Sequence, residues 1–205
     1  MTPPLNMNVV IHGAVRRDLR RIADALGAPD AASRAARIGA AYDFLAGELR
    51  HHHEQEDTLL WPALVEHGVP ADLTAAMESE HQAMAAALAE AERAVHAFVA
   101  SGDGADAEAA RAAVEHAAEV TGAHLDHEET EVGPLFADFA TTPAWPPIEK
   151  KFRARPPRDA GRFFAWIQDG MSEDHRGYLR STVPPPVLLL LSKGFGRGYR
   201  STARL

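Results

Sequence analysis

The sequence predicts an all-α protein, an up-down-up-down four-helix bundle followed by a proline-rich, basic helical appendage. Two observations predict this fold. Long alanine-rich stretches carry apolar residues at helical spacing and contain few β-branched runs. The breaks between these stretches are short, so that consecutive helices should lie antiparallel. We therefore expect the bundle in residues 1–140 and, packed on it, the appendage in residues 141–205.

Four helical stretches follow one another in the bundle region. They span about residues 6–26, 33–67, 72–100 and 106–139, and a glycine stands in each break. Ser33 is a good N-cap for the second helix. Four long helices with short loops predict the up-down-up-down order.

Prolines break the chain repeatedly after residue 141, and two short helices are predicted between them, at 159–169 and 172–180. The first contains four large apolar side chains and should therefore pack on the bundle. The glycine-rich stretch 194–198 has neither the preceding strand nor the spacing of a phosphate-binding loop, and we expect it to be a flexible terminus.

Charge is divided unevenly along the chain. Residues 1–140 hold 9 Arg and 24 Asp and Glu, a balance of −15, whereas residues 141–205 hold 12 Lys and Arg and 5 Asp and Glu, a balance of +7. The basic part either folds back on the acidic body or contacts nucleic acid or anionic lipid. No aromatic-and-basic pattern typical of nucleic-acid binding is present.

Composition excludes several classes of site. The chain has no cysteine, which rules out disulfides, thiolate metal sites and cysteine catalysis. Residues 1–15 lack a signal-peptide pattern, and the apolar run 187–191 is too short to span a bilayer. We therefore expect a cytoplasmic monomer or dimer, with no membrane partner and no clear nucleic-acid partner.

A motif of eleven residues occurs twice, 72 residues apart. It runs from His52 to Pro62 and again from His124 to Pro134, as His-x3-Glu-acid-Thr-x3-Pro. Each copy stands toward the end of a long helical pattern and is preceded, about 40 residues upstream, by one further histidine. Six candidate metal ligands result: His12, His52, Glu56, His81, His124 and Glu128.

All six candidates lie on the apolar stripes of their predicted helices, where such residues are least expected. Burying an unpaired carboxylate costs several kcal/mol, up to about 20 in the idealised limit, against a typical stability of about 5–15 kcal/mol. A pair of cations would compensate this cost, and histidine with carboxylate suits iron, manganese or zinc. The alternative is a buried histidine–glutamate hydrogen-bond network without metal.

The other histidines and acids are expected to be less central. His53 and His127 flank the core face and could bond to the ligands or act as auxiliary ligands. His51, His96 and His116 fall off the stripes and should be solvated. Four acidic residues off the stripes are also expected to be solvated rather than ligands: Glu54, Asp57, Glu129 and Glu131.

With a histidine in each of four helices and the repeated motif, the chain resembles the hemerythrin family, specifically its HHE cation-binding domains, over about residues 5–140. The resemblance implies a non-haem di-iron centre with an oxo or hydroxo bridge. By matching position, one iron would be bound by His12 and His52 and the other by His81 and His124. The resemblance assigns the role of bridging carboxylates to two residues, Glu56 and Glu128.

The chain departs from the oxygen-carrying members of that family, which use five histidines with a His-x3-His pair in the third helix. Met77 and Ala85 stand four residues to either side of His81. One iron is therefore expected to lack a histidine, and Glu78, His53 or water would fill the position.

Three functions agree with these observations. The first is a di-iron protein that binds or turns over a small oxidant (O2, NO or H2O2), and the missing histidine favours redox or peroxide chemistry, such as a catalase-like reaction, over oxygen carriage. The second is a regulatory module in which iron or oxygen status is signalled to a partner through the basic tail. The third is a di-iron oxidase or oxygenase, with residues 163–166 lining a substrate pocket. The sequence does not identify a redox partner.

Overall fold

The computed structural model describes residues 5–205, and its regular elements are helical throughout this range. Residues 1–4, part of the stretch without a signal-peptide pattern, lie outside it. Four rods pack as the predicted up-down-up-down bundle, which confirms the all-α fold. Their helices are α1 (Met7–Leu26), α2 (Ala31–Gln55), α3 (Trp61–Glu66), α4 (Ala71–Ser101), α5 (Gly104–His127) and α6 (Gly133–Phe139).

The second and fourth rods each contain a π-helical turn at the repeated motif. Glu56–Leu60 joins α2 to α3, and Glu128–Val132 joins α5 to α6. In both copies the threonine hydroxyl, from Thr58 and Thr130, donates to the carbonyl four residues earlier, at 2.6 and 2.7 Å. The sequence repeat is thus a structural repeat, and π turns of this kind are frequent at functional sites.

The start of the second rod differs from the prediction. Its first helix begins at Ala31, so Ser33 lies inside the helix and is not its N-cap. The amide and the hydroxyl of Ser33 both donate to the carbonyl of Asp30, at 3.1 and 2.8 Å. Asp30 therefore occupies the capping position, and the Ser33 side chain bonds within the first turn.

Two apolar cores fill the bundle, and the candidate ligands lie between them. Along the second rod, Leu49 belongs to the larger core and Leu60 to the smaller one. His52 and Glu56 occupy the interval, both at most 4% exposed. The fold therefore surrounds these polar residues with apolar layers on both sides.

The chain beyond residue 141 forms five further helices and one π segment, of which two helices were predicted from the sequence. These are α7 (Trp145–Phe152), α8 (Pro157–Ile167), α9 (Glu173–Thr182), α10 (Pro185–Leu189), a π segment (Leu190–Phe195) and α11 (Arg197–Thr202). Among residues 5–205, no helix combines the length and the apolar content that crossing a membrane would require.

Hydrogen bonds attach the appendage to α1. The buried Trp166 indole donates to a carboxylate oxygen of Asp18 at 2.8 Å. Arg21 of α1 donates to Asp169 at 3.1 Å, and the hydroxyl of Tyr199, within the appendage, donates to the same carboxylate at 3.0 Å. Because the large apolar core is shared between the two parts, we propose that residues 141–205 are an appendage of the bundle and not a separate domain.

The expectation of a flexible terminus at residues 194–198 is wrong. Gly196 lies so close to Ser192 and Ala165 that a Cβ atom there would collide with both, and Gly161 of α8 meets Phe195 in the same way. The absence of side chains at Gly161 and Gly196 allows the two segments to approach closely. Close packing against α8 therefore orders a stretch whose composition suggested flexibility.

Candidate metal centre

Four of the candidate ligands form two histidine pairs inside the bundle. The Nε2 atoms of His12 and His52 lie 3.2 Å apart, and those of His81 and His124 lie 3.1 Å apart. Each of these residues is at most 5% exposed. The first pair joins α1 to α2 and the second joins α4 to α5, so all four rods contribute one histidine.

The two buried glutamates connect the pairs. Glu56 places Oε1 at 3.3 Å from His52 Nε2 and Oε2 at 3.7 Å from His81 Nε2. Glu128 places Oε2 at 3.3 Å from His12 Nε2 and at 3.8 Å from His124 Nε2. Each carboxylate therefore contacts one histidine of each pair.

Three outer carboxylates hold the rings of the histidines. His12 Nδ1 lies 2.9 Å from Glu129, His81 Nδ1 lies 2.7 Å from Asp57, and His124 Nδ1 lies 2.8 Å from Glu80. A carboxylate at Nδ1 favours the tautomer with the proton there, which leaves the Nε2 lone pair directed at the centre. Such carboxylate–histidine pairs are typical around protein metal ions.

The expectation that Asp57 and Glu129 are solvated is therefore wrong, whereas Glu54 and Glu131 are exposed as expected. A signal for the role of the first two was present in the sequence, because both copies of the motif keep an acid directly after the buried glutamate. The role of Glu80, which also bonds His127 at 2.8 Å, carried no such signal.

Burial and charge set the protonation of the site. Desolvation lowers the pKa of His52 and His53 well below the ordinary value, and neighbouring histidines lower it further, so both rings are neutral near pH 7. The pKa of Glu56 is well above its ordinary value, first because the carboxyl is buried and then because Glu128 is adjacent. Burial alone would raise the pKa of Glu129, but hydrogen bonds from His12 and Arg16 lower it overall.

Three buried polar atoms around the centre have no hydrogen-bond partner: Oε2 of Glu56, Oε2 of Glu128 and Nε2 of His53. An unpartnered buried polar group costs about 1–3 kcal/mol. Neutral imidazole nitrogens and carboxylate oxygens are ligands of divalent and trivalent cations. The donor set and its orphaned atoms therefore fit a metal site.

Asn8 is a residue of the site that sequence reasoning missed. Its side-chain amide donates to Oε1 of Glu56 and to Oε1 of Glu128, both at 2.9 Å. The residue lies one turn before His12 on α1, and this shared helix face was the available signal. Asn8 thus holds one oxygen of each buried glutamate and leaves the other oxygen without a protein partner.

His53, one of the candidates to replace the missing histidine, lies beside the second histidine pair. It is buried, its ring stacks on that of His81 at 4.0 Å, and it groups with His81 and His124 within 4.8 Å. A second group of the same kind contains His12, His52 and Glu56. Glu78, the other predicted protein candidate for this position, is exposed and belongs to neither group.

The remaining histidines belong to neither of these two groups. His116 is exposed, and His96 is exposed and bonds Asp43 at 2.7 Å, as expected for solvated residues. His51, by contrast, is half-buried. His175 of α9 lies against Gly13, the residue that follows His12, where it is partly covered.

A small cavity of about 10 Å³ reaches the centre between α1 and the π turn of the fourth rod. Asn8, His12, Glu128 and Phe136 are among its lining residues. This volume holds about one water-sized molecule. A larger cavity of about 210 Å³ lies in the appendage around Tyr199, and none of the six candidate ligands lines it.

A model of the hemerythrin HHE cation-binding domain family matches residues 7–136. The matched range contains all six candidate ligands, Asn8 and both π turns, and it ends before the appendage. Neither a curated protein nor a solved structure gives a significant match.

Proposed function

We propose that this chain, which belongs to the hemerythrin HHE cation-binding family, holds two iron ions in its bundle core and there binds or converts a small oxidant: O2, NO or H2O2. One observation carries the proposal. Two buried histidine pairs are connected by two carboxylates, Glu56 and Glu128, each of which contacts both pairs and retains an unpartnered oxygen.

The residues divide naturally between two ions. His12 and His52 would hold the first ion. His81, His124 and, as a third ligand, His53 would hold the second ion. When bound, the metals supply Lewis acidity and one-electron redox chemistry. Histidine with carboxylate also accepts manganese or zinc, so the assignment to iron follows from the family.

The residues around the ligands orient them and exclude water from them. Glu129, Asp57 and Glu80 accept hydrogen bonds from the Nδ1 side of three histidines, which keeps each Nε2 free for a metal. Asn8 holds both buried glutamates from the cavity side. Apolar layers on either side exclude bulk water, which strengthens electrostatic interactions within the site.

The dimensions of the cavity support a small ligand over an organic substrate. About 10 Å³ beside His12 and Glu128 admits a molecule near the size of water. Trp166, expected to line a pocket in the oxygenase hypothesis, is buried instead against Phe44 and Asp18. We therefore rank binding or conversion of a small oxidant above oxygenation of an organic molecule.

A regulatory function is the second candidate, and contacts between the appendage and α1 favour it. The helix that carries Asn8 and His12 also carries Asp18, which binds Trp166 of the appendage. The ring of His175 lies against Gly13. If metal binding is signalled through this route, removal of metal should increase the protease sensitivity of residues 141–205, whereas a pure oxidant-binding protein should show no change.

Metal analysis tests the site. Protein purified without chelators should contain about two metal ions per chain, as a centre with two bridging carboxylates implies. Glu56→Ala and Glu128→Ala should lose metal, because each removes a ligand shared by both ions. Glu54→Ala and Glu131→Ala are matched controls on exposed neighbouring positions and should retain it. Wild-type metal content in both Glu56→Ala and Glu128→Ala would show that neither carboxylate bridges.

The chemistry needs a separate test. Iron-loaded protein should change its absorption spectrum with O2 or NO under controlled atmosphere, or accelerate the decomposition of H2O2 relative to the metal-free protein. A loaded protein that responds to none of the three would retain its metal site and refute the proposed function.

A further inference from the structure

An exposed apolar face lies on the C-terminal segment. Six large apolar side chains are strongly exposed among residues 5–205, and four of them fall within the stretch 187–195. These four are Val187 at 45%, Leu189 at 54%, Leu190 at 64% and Phe195 at 43%. Their concentration in nine residues distinguishes this stretch from the rest of the surface, where single exposed apolar residues are ordinary.

The segment that carries this face is anchored to the protein. Leu188 is buried, and Gly196 packs against Ala165 of α8. The guanidinium group of Arg200 donates to the carbonyls of Ser192 and Lys193, at 2.6 and 3.1 Å. The exposed side chains therefore project from a segment that is packed on the protein.

Positive charge is concentrated in the same part of the chain. Residues 175–205 contain six Lys and Arg and no Asp or Glu. Within the described part of the chain, four of these cations are exposed and make no ion pair with a carboxylate: Arg180, Lys193, Arg197 and Arg200. Arg200 also places its guanidinium beside the π segment, which puts cationic groups next to the apolar side chains.

We propose that this face, formed by Val187, Leu189, Leu190 and Phe195 with the neighbouring cations Lys193 and Arg200, binds the surface of a membrane that contains anionic lipid. Apolar side chains bordered by Lys and Arg match the boundary between acyl chains and anionic headgroups. Such a segment lies on the bilayer, so the short apolar run that argued against a spanning helix does not argue against this mode of binding.

Charge also favours an anionic membrane over two other partners, a second copy of the chain and nucleic acid. A symmetric pairing of two copies through the same face would bring exposed cations of like charge together, which opposes association. Nucleic acid would neutralise the cations but would leave the leucine side chains without an apolar partner. An anionic bilayer satisfies both features of the face at once.

Vesicle flotation tests the apolar part of the proposal. The 205-residue chain should bind vesicles of phosphatidylcholine with about 30% phosphatidylglycerol, and bind phosphatidylcholine alone at least about tenfold more weakly. The double variant Leu189→Ser and Leu190→Ser should lose binding, whereas Val65→Ser, an exposed apolar residue of α3, should not. Unchanged thermal unfolding of each variant, expected because the residues are exposed, establishes that the fold is intact.

A second pair of variants tests the charge. Lys193→Gln with Arg197→Gln should weaken binding by at least about tenfold, since each cation near an anionic surface contributes about fivefold. Lys150→Gln with Lys151→Gln removes the same charge from α7 and should have a smaller effect. Added salt should weaken wild-type binding.

Three results would overturn the proposal. One is absence of binding to either kind of vesicle. Another is equal binding of wild-type protein and the Leu189/Leu190 variant. The third is concentration-dependent dimerisation that the same variant abolishes, which would identify the face as a contact between two copies.

Discussion

Replacement of Asn8 by alanine should weaken both the metal-free fold and the affinity for metal. The side-chain amide of Asn8 donates to Oε1 of Glu56 and to Oε1 of Glu128, both at 2.9 Å. Among the described residues of α1, no other side chain bonds both of these oxygens. Its removal leaves an oxygen of each carboxylate without a donor and lets the two side chains rotate.

The magnitude follows from the two hydrogen bonds. A buried acceptor left without its partner costs about 1–3 kcal/mol, so complete loss of both hydrogen bonds would cost about 2–6 kcal/mol. The adjacent cavity of about 10 Å³, enlarged by truncation, lets water replace part of this bonding. We therefore expect the free energy of unfolding of the metal-free protein to fall by about 2–3 kcal/mol. Metal affinity should fall by about 10–100-fold, as is typical when a residue that orients a ligand is removed.

Asn6 provides a matched control in the same turn of the chain. Its side chain accepts a hydrogen bond from the amide of Val9 at 3.0 Å and caps α1, and it makes no hydrogen bond to Glu56 or Glu128. Asn6→Ala should therefore cost about 1 kcal/mol of stability and leave metal affinity unchanged. Urea denaturation of metal-free protein gives the stabilities, and competition with a chelating dye under anaerobic conditions gives the iron(II) affinities. Indistinguishable metal affinities for the two variants would refute the positioning role of Asn8.

Two further predictions concern the appendage. Trp166→Phe removes the indole donor to Asp18 and should lower the free energy of unfolding by about 1–3 kcal/mol without changing metal content; a parallel loss of metal would instead favour the regulatory function. Gly196→Ala should lower stability by about 1–3 kcal/mol, because its Cβ atom has no room against α8. Gly194→Ala is the control for thermal unfolding, since the nearest atom, of Leu190, lies 3.9 Å from the added carbon.

Much of the centre was predictable because helical phase is a local property. The apolar stripes of the sequence place His52 and Glu56 on the same face as Leu49, and all three are buried. Phase counting at 3.6 residues per turn does not hold where the motif forms a π turn, however. Asp57 and Glu129, which were assigned to the solvated surface, are the second residues of the two π turns.

The sequence by itself determined the four long helical rods of the bundle, their four apolar stripes and the choice of six candidate ligands, because periodicity and residue type are local properties of the chain. Only the tertiary structure decided which histidines form pairs, that Asn8 connects Glu56 to Glu128, and that Gly196 packs on α8. Those facts depend on the distances between helices far apart in the sequence. A hydrogen bond requires a donor and an acceptor within about 3 Å, and no local pattern specifies that approach.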